Sequence, residues 1–380
     1  MSGKINPMCS KLNAAWRLTL LCVLLAGCAP AATPTPTATT TSSPTSTVTP
    51  TQTSTQTAFP SSTHTPPPLP GAFQSTLLYP GDSPYTYIQE PCKYLRDKWN
   101  STNATPGTVV MVVMFHAVTV DPVSSPDQIS EEDFHLLMHA LHENGFEAIT
   151  TEQLVNFLET NRPIPPRSVL LMADDRHNKQ YFDILFRPYW EKWGWPVVNA
   201  WISTDLSSAA LWQEQVDLHN EGWVDYQAHG VVHNVTMGPN ATDDYIFSEL
   251  QGSIDRFLEH FEKRPIAIIW PGGIFTRRGV EMARELGYRL GFTISPRGPI
   301  MYNWVPLGDA PDPRRPSWLP EGETGDPLLV LPRYWDTDAI IHMDEVILTG
   351  QTAAAQAERN KATELAYYDS VCSPAYGPIP

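Results

Sequence analysis

Several features that would assign a function at once are missing from this 380-residue sequence. The apolar run Leu18–Ala26 is too short to cross a bilayer as a helix, and no internal repeat is visible. The sequence also lacks a glycine-rich phosphate-binding loop, which argues against nucleotide chemistry. Basic residues are few, since 25 Lys and Arg stand against 41 Asp and Glu and give a formal net charge of −16. So acidic a chain is not expected to bind nucleic acid or an anionic polymer.

The N-terminal residues have the layout of an export signal. Three basic residues precede the apolar run Leu18–Ala26, and small residues follow it. The sequence Leu-Ala-Gly-Cys that ends at Cys28 resembles the lipobox of bacterial lipoproteins, in which the cysteine is lipidated and becomes the mature N-terminus. We therefore expect residues 1–27 to be a signal peptide and Cys28 to anchor the protein on the extracytoplasmic side of a bacterial membrane. An ordinary signal peptide and an uncleaved anchor are the alternatives.

Residues 28–72 are expected to form a disordered tether. Between Ala29 and Pro70 the sequence has no Asp, Glu, Lys or Arg and consists almost entirely of Thr, Pro, Ser and Ala. Such a segment cannot bury enough apolar surface to fold, and its prolines favour an extended chain. The rest of the chain is predicted to comprise an N-terminal flank at 73–106, a barrel at 107–340 and a C-terminal extension at 341–380.

Two of the five cysteines lie outside the predicted signal peptide and lipidation site. These are Cys92 and Cys372, one on each side of the predicted barrel. Because an exported protein folds in an oxidising compartment, we expect them to form a disulfide, with two unpaired thiols as the alternative.

Strand-like and helix-like stretches alternate from about residue 107 onward. Ser130 begins a Ser-Glu-Glu-Asp sequence that is typical of a helix start, and Gly145 is placed to end that helix. About seven apolar strands, each followed by a helix, indicate an α/β fold of the distorted (β/α)7-barrel type. A Pro-rich irregular loop from Pro296 to Asp326 interrupts the pattern. The predicted strands are 107–115, 147–149, 169–173, 197–202, 224–228, 266–270 and 288–294.

Three short segments carry side chains suited to metal-dependent hydrolysis, and each follows a predicted strand. They are Asp174-Asp175, the pair His229 and His233, and His116. In a parallel barrel the carboxyl ends of the strands open onto one face, where active sites form. Two imidazoles and one carboxylate make the open three-ligand site typical of catalytic zinc. Taken alone, the aspartates could equally cap the next helix, and the histidine spacing could arise by chance.

The order of these segments resembles the NodB-type polysaccharide deacetylases, carbohydrate esterase family 4. The resemblance is strongest to the branch acting on poly-N-acetylglucosamine, in which the catalytic histidine precedes the aspartates. Similarity extends from Thr108 to Arg333. The matching segments are Val113-Met-Phe-His116-Ala-Val, Ser168-Val-Leu-Leu-Met-Ala-Asp-Asp175, Pro188 to Pro196, Ala228-His229-Gly-Val-Val-His233 and Trp270-Pro271-Gly272-Gly273.

The resemblance implies a role for each matching residue. Asp175, His229 and His233 would bind a divalent metal, with zinc as the expected ion. Asp174 would be the general base that takes a proton from metal-bound water, and His116 the general acid for the departing amine. The backbone N–H of Gly272 would stabilise the oxyanion.

The substrate-binding residues implied by the resemblance are Trp270, Pro271, Gly273, Arg176 and Arg333. For Arg333, a structural salt bridge is the alternative. Arg176 stands where the family has a glycine and could either pair with Asp174 or intrude on the sugar site. Gly230 replaces a hydroxyl residue after the first metal-binding histidine, which is expected to weaken the order of that loop.

The function implied is metal-dependent removal of N-acetyl groups from an N-acetylglucosamine-containing polysaccharide. A catalytically inactive, carbohydrate-binding lipoprotein on the same fold is the alternative. A glycosidase with paired carboxylates fits less well, because neighbouring residues on a strand point to opposite faces.

Overall fold

The computed structural model describes residues 65–232 and 235–380. The predicted signal peptide, Cys28 and most of the predicted tether lie outside the described residues, and so does His233. The strands are β1 Asp82–Tyr85, β2 Val109–Phe115, β3 Ala117–Thr119, β4 Gln128–Ser130, β5 Glu147–Ala148, β6 Arg167–Asp174, β7 Val197–Trp201, β8 Val224–Ala228, β9 Ala267–Ile269, β10 Leu290–Phe292, β11 Val305–Gly308 and β12 Tyr334–Trp335.

The α-helices vary from one turn to 32 residues. They are α1 Pro91–Trp99, α2 Glu131–Glu143, α3 Thr151–Thr160, α4 Lys179–Leu185, α5 Arg187–Trp193, α6 Ala209–Asn220, α7 Asp243–Phe261, α8 Arg277–Glu285, α9 Asp336–Tyr367 and α10 Ser373–Tyr376. Within residues 65–232 and 235–380, no helix is both long and apolar enough to cross a membrane.

The main sheet is parallel and curls into a barrel. Seven of its strands follow the order β10-β9-β8-β7-β6-β2-β12, and β5 pairs with β6 as an eighth strand off this path. The segment around Leu331 closes the ring, because its N–H donates to the Gly291 carbonyl (2.7 Å) and its carbonyl accepts from Thr293 N–H (2.9 Å). The same segment continues into β12, where Tyr334 pairs with Val113 of β2. The predicted distorted (β/α)7 barrel is therefore confirmed.

Both faces of the sheet are apolar, as expected for buried parallel strands. Alternate residues of β2 and β6 enter different clusters. Val112 and Met172 belong to one cluster, whereas Met111 and Leu171 pack with the residues of α2 and α5. Asp174 has the same parity as Met172 along β6 and is therefore turned away from α2 and α5.

Helix starts follow the local sequence. The Ser130 hydroxyl accepts from the Asp133 N–H at 3.0 Å, as predicted for a helix N-cap. Two short helices, α4 and α5, follow β6, with Phe186 between them. Proline at position 188 lacks the N–H that a continuous helix would use, which favours a break there.

The N-terminal flank and the Pro296–Asp326 loop are more ordered than the sequence indicated. β1 of the flank pairs antiparallel with β11 of the loop. We call residues 296–326 the insert. The sequence did not predict β11, because this strand pairs with a partner more than 200 positions away in the chain.

The two ends of the described region are joined. Cys92, at the start of α1, forms a disulfide with Cys372 across a sequence separation of 280 residues, so the predicted pairing is confirmed. Both cysteines are buried in a small apolar cluster with Leu95 and Tyr368.

Residues 69–73 pack at the end of the barrel where β2 begins. They share a cavity of about 250 Å³ with residues 105–108, which precede β2. The indole N–H of Trp304 donates to the Phe73 carbonyl at 2.9 Å. Residues 69–73 are thus attached at the amino end of the strands.

The disulfide is expected to add stability because it closes a very long loop in the unfolded chain. A Cys92→Ala/Cys372→Ala protein should lose about 2–5 kcal/mol of unfolding free energy relative to the oxidised protein. Urea unfolding followed by tryptophan fluorescence measures the difference. Reductant should lower the stability of the natural protein to that of the variant and leave the variant unchanged; equal stability of both proteins under oxidising conditions would contradict this.

Candidate active site

The predicted site residues that the structure describes gather at one end of the barrel. Asp174 is the last residue of β6, His116 follows β2, His229 follows β8, and Gly272 lies in the turn after β9. The carboxyl ends of parallel strands share one face of a barrel, so four separate segments converge there.

Asp174 is held by a buried ion pair with Arg333. The carboxylate is 1% exposed and the guanidinium 0%. Nη1 of Arg333 donates to Oδ1 of Asp174 at 2.7 Å and to Oδ2 at 2.8 Å. Burial alone would raise the pKa of Asp174, but Arg333, together with His116 and His229, holds the pKa below its ordinary value. The carboxylate is thus kept ionised and able to accept a proton.

Arg333 lies in the segment that closes the barrel. Its Nε donates to the Thr293 carbonyl at 2.6 Å, which orients the guanidinium toward β6. A fully buried arginine cannot reach a polysaccharide, so the prediction that Arg333 binds substrate is wrong and its salt-bridge alternative is correct.

Arg176 does not orient Asp174. Its Nη1 donates to the Ser207 hydroxyl at 3.3 Å, on the loop after β7. The predicted pairing of Arg176 with Asp174 is therefore wrong, because Arg333 already occupies that carboxylate. A substrate contact by Arg176 stays a prediction.

The aspartates do not cap the next helix. Asn178 is the N-cap of α4, and its side chain accepts from the Tyr181 N–H at 3.1 Å. Asp175 adopts a φ of 75°. Left-handed backbone is uncommon for residues other than glycine and is often found at functional sites.

The side chains of His229 and Asp175, two of the predicted metal ligands, lie next to each other. Nδ1 of His229 lies 2.8 Å from the Ile269 carbonyl. This nitrogen donates to that oxygen, which leaves Nε2 with a free lone pair, as in many metal sites. Nε2 lies 3.8 Å from Oδ1 of Asp175. Two ligands bound tetrahedrally to one zinc ion lie about 3.4 Å apart, so this pair fits a metal.

The third predicted ligand, His233, lies outside the described residues. Within the described ranges, no group of three His, Cys, Asp or Glu side chains is placed to hold a metal ion. The described residues therefore supply two of the three ligands that the sequence predicts.

His116 lies beside the ionised carboxylate. Its Nε2 is 3.7 Å from Oδ2 of Asp174. The imidazole stacks on the indole of Trp335, with ring centroids 5.0 Å apart and planes 19° apart. The side chain of His116 is 19% exposed, so it is both oriented and accessible from the mouth of the barrel.

Glu249 orders the loop after His229. Its carboxylate, on α7, accepts from the N–H groups of Val231 (2.7 Å) and Val232 (3.0 Å). Gly230 leaves the necessary space, because a Cβ there would lie 2.7 Å from Oε2 of Glu249. The loop was expected to be weakly ordered without a hydroxyl at position 230. That expectation stays a prediction, and at Val231 and Val232 the backbone is held by the buried carboxylate of Glu249.

The turn after β9 is mostly buried. Trp270 is 0% exposed, and its indole N–H donates to the Leu329 carbonyl at 2.8 Å. It cannot stack on a sugar ring, so its predicted role is wrong. Pro271 and Gly273 are also buried, and a Cβ on Gly273 would lie 2.6 Å from Ile294. Pro271 and Gly273 therefore pack in the interior and do not contact substrate as predicted. Gly272 is the exposed residue of the turn.

Two residues of the site had little signal in the sequence. Glu249 is one of many acidic residues on helices, and only its 1% exposure marks it as unusual. Trp335 is one of twelve tryptophans, of which several are core residues, such as Trp201 and Trp223. Its place at the end of a strand was the only available indication.

Comparisons with known proteins agree with the resemblance. The chain is 22% identical over 186 residues to "Putative polysaccharide deacetylase YxkH" of Bacillus subtilis (strain 168); the match covers 49% of this chain and 64% of that protein. The chain thus spans less than two thirds of that relative's length. No family model matches the chain. The similarity to YxkH confirms the predicted resemblance to polysaccharide deacetylases.

Two solved structures are similar to the fold at low sequence identity. The deacetylase PplD of Streptococcus pyogenes, in complex with acetate, has a TM-score of 0.49 at 20% identity, covering 64% of this chain and 99% of that one. IcaB from Ammonifex degensii has a TM-score of 0.48 at 17% identity, covering 64% of this chain and 98% of that one.

Removing Arg333 is expected to destabilise the barrel in a pH-dependent way. Arg333→Met should cost about 3–5 kcal/mol at neutral pH, because Asp174 becomes an unpaired buried charge. The pair stabilises the fold above the unfolded pKa of Asp174, and this contribution is lost as the pH falls. The difference in unfolding free energy between the natural protein and Arg333→Met should therefore become smaller at acidic pH. The Asp174→Asn/Arg333→Met protein is the control and should recover part of the loss at neutral pH; equal losses at pH 4 and pH 8 would contradict the ion pair.

The effects of substituting Gly230 and Glu249 are expected to be coupled. Gly230→Ser should distort the His229 loop, because its Cβ approaches Glu249, and Glu249→Ala should leave two loop N–H groups unpaired, at about 1–3 kcal/mol. In the double variant the clash with the carboxylate is removed, but the φ of 79° at position 230 still strains a serine, so only part of the summed loss should be recovered. Unfolding free energies and zinc affinities of the four proteins measure the coupling, and strictly additive losses would show that the two positions act independently.

Proposed function

We propose that this chain, which resembles the NodB-type polysaccharide deacetylases, is a metal-dependent deacetylase. It removes N-acetyl groups from an N-acetylglucosamine-containing polysaccharide and releases acetate and a free amine. The observation that carries the proposal is the ionised, buried Asp174, which Arg333 orients beside His116 at the mouth of the barrel.

The proposed reaction uses two proton-transfer groups. Asp174 accepts a proton from the attacking water, since its carboxylate is kept ionised by Arg333. His116 donates a proton to the departing amine, so that the amide C–N bond breaks with a neutral leaving group. The exposed N–H of Gly272 stabilises the negative charge that develops on the carbonyl oxygen.

Asp175, His229 and His233 would hold the divalent metal, with zinc as the expected ion. The metal would supply Lewis acid chemistry by lowering the pKa of water and polarising the acetamide carbonyl. The hydrogen bond from His229 to Ile269 supports this assignment, because it fixes the tautomer that leaves Nε2 as a donor to metal.

Two observations support the proposed class of substrate: the net charge of the chain and the name of its relative in Bacillus subtilis. A chain with a formal net charge of −16 repels acidic polymers, whereas acetylated amino sugars are neutral. The relative from Bacillus subtilis is named "Putative polysaccharide deacetylase YxkH". Both observations support a neutral acetylated polysaccharide as substrate.

The proposed location is extracytoplasmic, with the chain anchored to a bacterial membrane through a lipid on Cys28. The Cys92–Cys372 disulfide supports export, since disulfides persist mainly in oxidising compartments. The lipobox-like sequence supports the anchor.

The proposal predicts that metal binding and turnover can be separated by substitution. Asp174→Asn should keep its metal and lose turnover by about 10²–10⁴-fold, because the general base is gone. His229→Ala and His233→Ala should lose metal and turnover together, because two ligands hold an open site weakly. The measurements are metal content of the purified proteins and acetate released from partly acetylated glucosamine polymers.

Natural protein stripped by a chelator is the control and should regain activity when zinc is added. Undiminished metal in both histidine variants would remove the ligand assignment. Binding of the polymer with no acetate release under any metal would favour the alternative of a catalytically inactive, carbohydrate-binding lipoprotein.

A further inference from the structure

The segment that carries Asp175 is attached to the helix packed behind it. We call residues 175–178 the aspartate loop, because it begins at Asp175 and ends at the N-cap of α4. The carbonyl of His177 in this loop accepts a hydrogen bond from the side-chain amide of Gln215, at 3.1 Å. Gln215 lies on α6 and is fully buried. The backbone that follows Asp175 is thus held by a side chain from the interior.

The neighbours of Gln215 fix the orientation of its amide. A backbone carbonyl only accepts hydrogen bonds, so the amide nitrogen of Gln215 must be the atom that faces His177. Its Oε1 then accepts from the Tyr226 hydroxyl at 2.8 Å and from the Asn199 side-chain amide at 3.2 Å. Tyr226 and Asn199 are fully buried as well. The donor of Gln215 is therefore directed at the aspartate loop.

These hydrogen bonds connect the two neighbouring metal ligands that the sequence predicts. Asn199 of β7 and Tyr226 of β8 are opposite each other in the sheet. Tyr226 lies three residues before His229, whose Nε2 is 3.8 Å from Oδ1 of Asp175. Gln215 therefore joins the loop that carries Asp175 to the strand that leads to His229.

The aspartate loop needs such support because of its backbone conformation. Asp175 has a φ of 75°. A residue other than glycine keeps this left-handed conformation only where the surrounding structure holds it. Besides the bond from Gln215, Nη1 of Arg176 donates to the Ser207 hydroxyl at 3.3 Å, directly before α6 begins. Both contacts attach the loop to the same helix or its start.

Packing alone does not account for a glutamine at this position. Gln215 shares the buried face of α6 with Trp212 and Leu218. Burying an amide costs free energy unless it is hydrogen-bonded, so an apolar side chain would suit this face better. Both the oxygen and the nitrogen of Gln215 are bonded, and the nitrogen binds the aspartate loop.

We propose that Gln215 is a positioning residue of the metal site, whose hydrogen bond to the His177 carbonyl holds Asp175 beside His229. This inference rests on the proposed function, in which Asp175 and His229 bind the metal. Removing a residue that orients a metal ligand typically weakens metal binding by about 10–100-fold. Gln215 is therefore expected to act on metal affinity as well as on stability.

The test replaces Gln215 with a side chain of similar length that cannot donate a hydrogen bond. Gln215→Met should bind zinc about 10–100-fold more weakly than the natural protein, as measured by competition with a chelating dye. In the metal-free proteins, the amides of the aspartate loop should exchange hydrogen about tenfold faster in Gln215→Met, the equivalent of one hydrogen bond. Mass spectrometry of the peptide that contains the loop measures this exchange.

Leu218→Ala is the matched control, because it alters the same buried face of α6 and removes no hydrogen bond to the loop. It should lower the free energy of unfolding, but zinc affinity and loop exchange of the folded protein should match those of the natural protein. If Gln215→Met does not fold, Gln215→Asn takes its place, since its amide is one methylene too short to reach His177.

Two results would overturn the positioning role and leave the proposed function intact. One is a zinc affinity and loop exchange in Gln215→Met equal to those of the natural protein, and the other is an equal change in Leu218→Ala and Gln215→Met. If the natural protein neither binds zinc nor releases acetate, the proposed function fails, and loop exchange in the metal-free proteins decides the role of Gln215. Faster exchange confined to Gln215→Met would support its hold on the aspartate loop, and the same exchange in all three proteins would overturn it.

Discussion

The ion pair between Arg333 and Asp174 connects the closure of the barrel to its chemistry. Arg333 belongs to the segment that bridges β10 and β2, so the segment that closes the barrel also supplies the countercharge for the Asp174 carboxylate. Without the guanidinium, burial would favour the protonated acid, which cannot accept a proton. The site is therefore complete only when the ring of strands is closed.

The sequence predicted those parts of the structure that depend on local pattern. Apolar strands, the helix start at Ser130 and the placement of Asp174, His116 and His229 at strand ends all follow from spacing and periodicity. The sequence did not predict contacts between residues far apart in the chain. Arg176 adjoins the aspartates in sequence, whereas Arg333 meets them only after some 160 residues have wound around the barrel. Proximity along the chain therefore indicated the wrong arginine.

A second group of wrong predictions concerns side chains whose burial the sequence did not indicate. An aromatic residue at a strand end can face solvent or the core, and the residue type alone does not distinguish them. Trp270 is buried by the segment at Leu329, whose position depends on how the insert folds back. Glu249 likewise gains its role from a glycine nineteen positions earlier, and neither residue alone indicates the pairing. A pairing of this kind becomes visible only when both residues are placed in three dimensions.

Residues 69–73 and the disulfide belong to the end of the barrel that lies opposite the candidate site. Asp174 and His116 lie at the carboxyl ends of the strands, whereas residues 69–73 border the residues that precede β2. The disulfide joins the C-terminal helices to α1, which borders the same cavity as residues 69–73. The covalent closure of the described region and the candidate chemistry therefore occupy separate ends of one barrel, so that a substitution at one end leaves the side-chain contacts at the other end in place.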